Sequence, residues 1–594
     1  MKKFLIGLSV LIVLVVLVMR GIPYLINLYL NDNADRIVTN MITRTSDFGN
    51  HEVSFGEIKL NYNYSGTFLK IKNIKVSPSD SLDDKTVKVN LVADQINVTG
   101  FKWFPFLFQN TLSIDSALLD NIHIISSGPP IDSLFNEPRK PKSKKNKDYD
   151  LIEVENFELK NFSFEVENNL YDSIRMSLIN MNVQLKTFQL TKEDLNDPKS
   201  LFHLGMAYGS IEEAEFHFDK FRQSIKVKDI ELDTRQKSMN FGYLGLLNKL
   251  DKFVYTSLFK ERQGWLQIDN AELQMRGVNF GNYFRNGVVE IDSIYANNFH
   301  LEVFTDKRIP EDFQKRPQMI HQIFKNLKQF FHVEHLLIDN AYIKIEEKPD
   351  NKSPRTGHIF FSDLNAHITN VSNYIERRGT NRTISIEAAA KLMGEGPLNA
   401  TIKYDLEDPE GKFTLKGTLG RMDIRKLNTM IEPEAKASLK SGTIDRLDFN
   451  ILANDFDGSG ELIIRYRGLE IELLNRDFQH DQNLIRKVGS FLANKVIIKS
   501  NNPKTNGELV KGNVYFIRIP NKSMFNYWWQ LIFSGLKSTI TGDDIEEMRK
   551  KELAKRAKAK DSKEAATPKK DSENKKSMTN KEKRQARKEK KESN

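Results

Sequence analysis

The chain has 594 residues, 39% of them hydrophobic and 10% aromatic, enough for a large core or several domains and too apolar for wholesale disorder. It has no cysteine, which excludes disulfides, zinc–thiolate sites and thiol nucleophiles. The net charge is +10, but roughly +6 sits in "PRKPKSKKNK" at 138–147 and roughly +7 in residues 543–594, so the body is nearly neutral and no nucleic-acid partner is expected.

Residues 4–19, "FLIGLSVLIVLVVLVM", form an uncharged apolar run behind Lys2 and Lys3, and beyond Arg20 the apolar character resumes to Leu30. A cleaved signal peptide is the rival reading, but no small-x-small cleavage site follows the run. Residues 1–30 therefore read as an uncleaved transmembrane anchor. With the two lysines held inside, the rest of the chain lies outside the cytoplasm.

From residue 31 to 390 one short pattern recurs: apolar, any, apolar, two mostly polar residues, apolar, any, apolar. It appears as "LKIKNIKV" (69–76), "LSIDSALL" (112–119), "IKVKDIEL" (225–232), "LQIDNAEL" (266–273), "LLIDNAYI" (336–343) and several further copies. Two copies run on in phase, Ile152 to Val166 matching Val289 to Val303. Spacing of two keeps side chains on one face of a strand, and it does not fit a helical turn. The step of three slips that facing unless a bulge or bend at the polar pair restores it.

The expected fold class is therefore mainly β: an elongated, curved antiparallel sheet forming an apolar groove, with an N-terminal transmembrane helix and a few peripheral helices. The in-phase residues Ile114, Val154, Ile268, Ile291 and Ile338 are the expected lining, with Glu153 and Glu290 facing water. Closed packing against a second sheet is the rival arrangement. Helical spacing marks 243–262 and 319–331 as helices against the sheet or its edge. The Pro- and Lys-rich stretch 128–150 reads as a loop.

Residues 391–542 end in "FNYWWQLIFSGLKSTI", a short helix carrying Tyr527, Trp528, Trp529 and Phe533. These side chains suit a membrane–water interface and suit core packing equally. Residues 543–594 are Lys/Glu-rich, a charged tail rather than a packed domain. His332 and His335 in "HVEH" read as a strand pair rather than metal ligands, and "DFDGSG" (455–460) as a hairpin turn rather than a calcium loop. Asp115-Ser116-Ala117 and Asp292-Ser293-Ile294 fit an O-glycosylation signal and fit turns as well. No nucleophile elbow, phosphate loop or paired carboxylates stand out. Neither catalytic residues nor a cofactor nor a metal is expected, and the chain does not read as an enzyme.

The stretch 393–474 carries Met422-Asp423, Leu427-Asn428, Ser441-Gly442 with Ile444, Leu447 and Phe449, then Gly460, Leu462, Tyr466 and Leu469. In that order they resemble the carboxy-terminal region of the AsmA-like proteins of Gram-negative envelopes, and 492–542 is similar to that family's end. The resemblance implies a single-pass inner-membrane protein with its body in the periplasm. It implies a β groove for phospholipid or other acyl lipid, a part in outer-membrane lipid homeostasis and biogenesis, and outer-membrane or envelope protein partners. The alternative is a non-enzymatic scaffold or regulator of outer-membrane assembly, acting through protein contacts.

Overall fold

The computed structural model describes residues 51–554 apart from 64–65, 80–86, 129–149, 169–172, 193–202, 219, 221, 476 and 479–499, together with 20, 23–29, 31–33 and 36. The expected span 4–19, the basic loop 129–149 and the tail beyond 554 lie outside the described residues. Among the described residues no helix is long and apolar enough to cross a membrane. Strand makes up 59% of them and helix 18%, and 22 strands join in one large, curved, mixed sheet.

The first half comprises β1 (His51–Ser54), β2 (Glu57–Asn63), β3 (Gly66–Pro78), β4 (Lys88–Phe101), β5 (Thr111–Gly128), β6 (Leu151–Asn168), β7 (Ser173–Thr191), β8 (His203–Phe218), β9 (Gln223–Asp233), β10 (Ser238–Asn248) and β11 (Gly264–Arg276). The second comprises β12 (Val289–Asn297), β13 (His300–Asp306), β14 (Phe331–Lys348), β15 (Gly357–Ser372), β16 (Thr383–Leu392), β17 (Gly396–Asp405), β18 (Phe413–Leu419), β19 (Met422–Asp423), β20 (Ala437–Ala453), β21 (Asp457–Leu473) and β22 (Gly512–Ile517). Each long strand pairs with its neighbours in sequence, so the chain lays the sheet down from one edge to the other. The sequence boundary at 390–391 falls inside β16, and the ladder continues through it.

Two features differ from the sequence expectation. The sheet is not wholly antiparallel: β5 pairs with β6 in parallel, and β12 and β13 pair in parallel with β14. A parallel neighbour needs a connection that returns the chain to the strand's starting end, and between β13 and β14 this is 307–330. The expected helix 243–262 is mostly not helical either. Residues 243–248 finish β10, and only Lys252–Ser257 forms a helix, because "YLGLLN" completes a ladder with β9 that a helix would forfeit. In the second stretch, Ile320–Asn326 is helical.

The polar step of the repeat is a bend in the strand. Asn73, Asn121, Asn161, Asn180, Asp229 and Asn270, then Asn298, Asn340 and Asp363, stand at its second place with φ between 50 and 57°. Asn and Asp enter this left-handed region more readily than other side-chain-bearing residues. Their side chains bond across strands: Asn121 donates to Asp94 at 2.6 Å, Asn180 to Glu212 at 2.8 Å and Asn340 to Asn298 at 2.8 Å. The pairing register shifts beside Asn161, Asn270 and Asn340, which keeps apolar side chains on one face along the whole strand. Asp115-Ser116 and Asp292-Ser293 make the step inside β5 and β12 without a left-handed residue, so they are strand interior and not turns.

An open sheet leaves two edges, and a helix closes each. At β2, Asn31 accepts from the Leu60 amide at 3.0 Å and donates to its carbonyl at 2.6 Å, and Asn27 makes the same reciprocal pair with Tyr62. At β22, Ser534 accepts from the Tyr515 amide at 3.2 Å and Ser538 donates to the Asn513 carbonyl at 2.8 Å. Each clamp is a pair of short polar residues four apart, and so on one helix face.

Candidate functional site

The register brings the apolar repeats into continuous rows. One begins at Ile58 on β2 and passes through Ile71, Ile96, Leu119, Leu159 and Val183. It continues as Gly209, Leu232, Met239, Met275 and Ile294. Leu336, Ile368, Ile386 and Ile402 follow, and Leu415, Ile451, Gly460 and Val514 complete it on β22. Every member is aliphatic, methionine or glycine. At about 4.8 Å per strand the row measures roughly 85 Å along the curve of the sheet. Across the bend a second row is equally apolar through Ile211, Ile230, Phe241, Leu273, Ala296 and Ile338.

All five expected lining residues lie on this face. Ile114 stands opposite Val154, Ile268 lies between Leu246 and Leu301, Ile291 is opposite Val333, and Ile338 lies between Ala296 and Ala366. Ile291 is buried and the other four are half-buried. Glu153 and Glu290 point the other way, where Glu153 accepts from the Ser113 hydroxyl at 2.6 Å and Glu290 from the Asn279 amide at 2.6 Å.

Cover on the apolar face is uneven. At the C-terminal end the helix Met524–Thr541 lies on it, burying Tyr527 and Leu531 against Tyr404, Phe413, Leu462 and Val514. Tyr404 stacks on Phe413 at 4.6 Å between centroids, and the Trp528 indole N–H donates to the Tyr404 hydroxyl at 3.3 Å. Burial pushes both Tyr404 and Tyr527 well above the ordinary phenol range. Of the four residues expected at a membrane interface, Tyr527 is thus a core residue, only 1% exposed. Trp528 is half-buried, while Trp529 and Phe533 stack on the helix's outer side. The connection 307–330 adds Met319 and Ile320 to the same cluster. Among the described residues nothing comparable lies over the middle strands, and Phe216, Ile225 and Leu266 remain exposed.

Among the described residues of the strands, charge lies on the opposite face and at the strand ends. There Lys252 pairs with Glu346 at 2.6 Å, and Lys307 with Glu347 at 2.6 Å and Glu434 at 2.7 Å. Burial raises the Glu434 carboxyl above the usual range, although Lys307 opposes it. His335 meets His367 of β15 at 3.0 Å rather than His332. Among the described residues no group of three or more His, Cys, Asp or Glu is placed to hold a metal. Around "DFDGSG", Asn454 accepts from the amides of Phe456 and Asp457, closing the β20–β21 hairpin.

No family model and no curated protein matches this chain.

The sequence places 319–331 against the sheet or its edge, but which end it covers depends on contacts far apart in sequence, such as Arg518 to the Pro317 carbonyl and Asn521 to Glu311. The edge clamps had a local signal in the paired Asn27 and Asn31 on an otherwise apolar helix. An isolated helix gives no reason for such a pair. The rows themselves offer no side-chain donor, acceptor or charge, so what they can hold is hydrocarbon.

Proposed function

We propose that this chain is a membrane-anchored protein of a Gram-negative envelope, similar to the AsmA-like proteins. Its anchor lies in the inner membrane and its body in the periplasm. The apolar face serves as a groove that binds or conducts the acyl chains of phospholipid or another lipid. This supports outer-membrane lipid homeostasis and biogenesis. The carrying observation is the row from Ile58 to Val514, unbroken by any polar side chain. Contiguous apolar patches beyond a few hundred Å² are rare on monomeric soluble proteins and need a partner. Lipid acyl chains ask for no hydrogen bonds from such a lining.

The second reading is a scaffold acting through envelope protein partners. The cover over the C-terminal end favours it, since a face closed there needs no lipid. The test uses strand β8, where Phe216 and Tyr208 are 40% and 37% exposed on opposite faces. A photo-crosslinking amino acid at each, irradiated in living cells, should give lipid adducts at Phe216 and none at Tyr208. Protein adducts alone at both sites would replace the groove with the scaffold.

A further inference from the structure

Two parts of the sheet are built alike. Gly100 precedes a short helix and then β5, whose Asp115 carboxylate occupies the space a Cβ on Gly100 would need; φ at Gly100 is 71°. Gly277 precedes a short helix and then β12, with Asp292 against Gly277 in the same way and φ at 69°. Each unit then crosses to a parallel strand. The fold therefore sets the same task for the helix Trp103–Phe108 and the helix Phe280–Asn286.

Their sequences answer differently. Phe280–Asn286 buries Phe280, and Asn279 caps it by accepting from the Asn282 amide at 3.0 Å. Its exposed side chains are Arg285 and Asn286 beside one aromatic, Tyr283, while Asn282 and Phe284 are half-buried. Trp103–Phe108 reads "WFPFLF", with Phe104 64% and Phe108 74% exposed and their centroids 5.1 Å apart. Connections between strands are ordinarily polar. The second unit shows that this one has no structural need to be apolar.

The place of the first helix supplies the reason. Asn27 meets Tyr62 and Asn31 meets Leu60, so the chain reaches the clamp from beyond the Tyr62 end of β2. In register Tyr62 lies opposite Thr67, and Thr67 opposite Phe101, which leads into Trp103–Phe108. Two strand spacings, roughly 10 Å, separate them. The apolar run 4–19 ends a few residues before this clamp, and Tyr24, Leu25, Leu28 and Tyr29 are exposed beside it.

We propose that Trp103–Phe108 seats this corner of the sheet on the bilayer that the anchor enters, with Phe104 and Phe108 among the lipid acyl chains. The seat rests on the membrane-anchored reading and adds to it a fixed orientation. The β1–β5 end of the apolar face is held against the membrane surface, and the covered end is directed away.

The absence of native cysteine makes a clean test possible. Single variants Phe104→Cys, Phe108→Cys, Tyr283→Cys and Ile12→Cys of the full chain are labelled with a nitroxide in phosphatidylethanolamine–phosphatidylglycerol nanodiscs. The ratio of collision with oxygen to collision with a nickel chelate reports depth. The seat requires ratios at Phe104 and Phe108 several-fold above that at Tyr283, with Ile12 deeper still. If Phe104 and Phe108 match Tyr283 while Ile12 lies deep, the seat is wrong and the anchor stands. If Ile12 is itself in water, the anchored reading fails and takes the seat with it.

Discussion

At the scale of the residue, the bends in the strands rest on side chains that tolerate a left-handed backbone. Asn270, at φ 57°, receives support from Asp269, whose carboxylate accepts from the Asn270 amide at 2.8 Å. Asn270→Gly should leave the denaturation midpoint close to that of the parent. Asn270→Val should lower stability by about 1–2 kcal/mol, the usual penalty for a side-chain-bearing residue in this region, as read by urea unfolding. The polar step was legible because it interrupts a period of two. Which residue turns left-handed was less so, since Asp115-Ser116 makes the same step with ordinary angles. On the opposite face, hydrogen bonds from the Arg308 guanidinium hold the buried Asp306 carboxyl below the usual range, against the upward push of burial. A depressed folded value means the stabilisation is complete above the unfolded value near about 3.9 and is lost as pH falls through the folded one. Asp306→Asn should therefore be less stable than the parent at pH 7, and the difference should shrink below about pH 4, as thermal melts across that window will report.

At the scale of the element, strands were more legible than helices or connections. Ten residues of alternating pattern state a strand without reference to anything distant. The parallel pairings were hidden, because a strand buried on one face reads the same whichever way its neighbour runs. The helix spacing in 243–262 misled because "YLGLLN" fits a helical stripe and a ladder alike, and the ladder with β9 prevailed. The clamps carry their own prediction. An uncovered edge is a template for pairing with another chain. Asn27→Leu with Asn31→Leu keeps the helix apolar and removes the four bonds to Leu60 and Tyr62. This variant should self-associate where the parent does not, and light scattering after size exclusion will decide it.

At the scale of the whole molecule, the candidate site is a property of register rather than of any residue. Phase alone marks the five expected lining residues, and the sheet sets them on the same face as the rows. Their continuity over 19 strands, from Ile58 to Val514, could not be read from separate repeats. Met275 lies midway, between Met239 and Ile294. Met275→Asp places a charge across the row where it is half-buried, and a desolvated charge is a steep obstacle to hydrocarbon. With lipid entering at the β1–β5 end, photo-adducts should persist at Phe216 and fall several-fold at Leu336. Equal yields at both would mean that lipid enters sideways along the length.

The uniformity of that row has a consequence for selectivity. Hydrophobic contact has no direction and scales with area, so moving one strand onward exchanges one aliphatic neighbour for another at almost no change in energy. On the proposed function, a passenger on the uncovered strands would meet a level track with no stations on it, and its headgroup would stay in water, unread. On that reading, any preference for one lipid over another is exercised where the track is boarded or left. Variation in the strand interiors would alter how smoothly the molecule runs, and variation at its two ends what it carries.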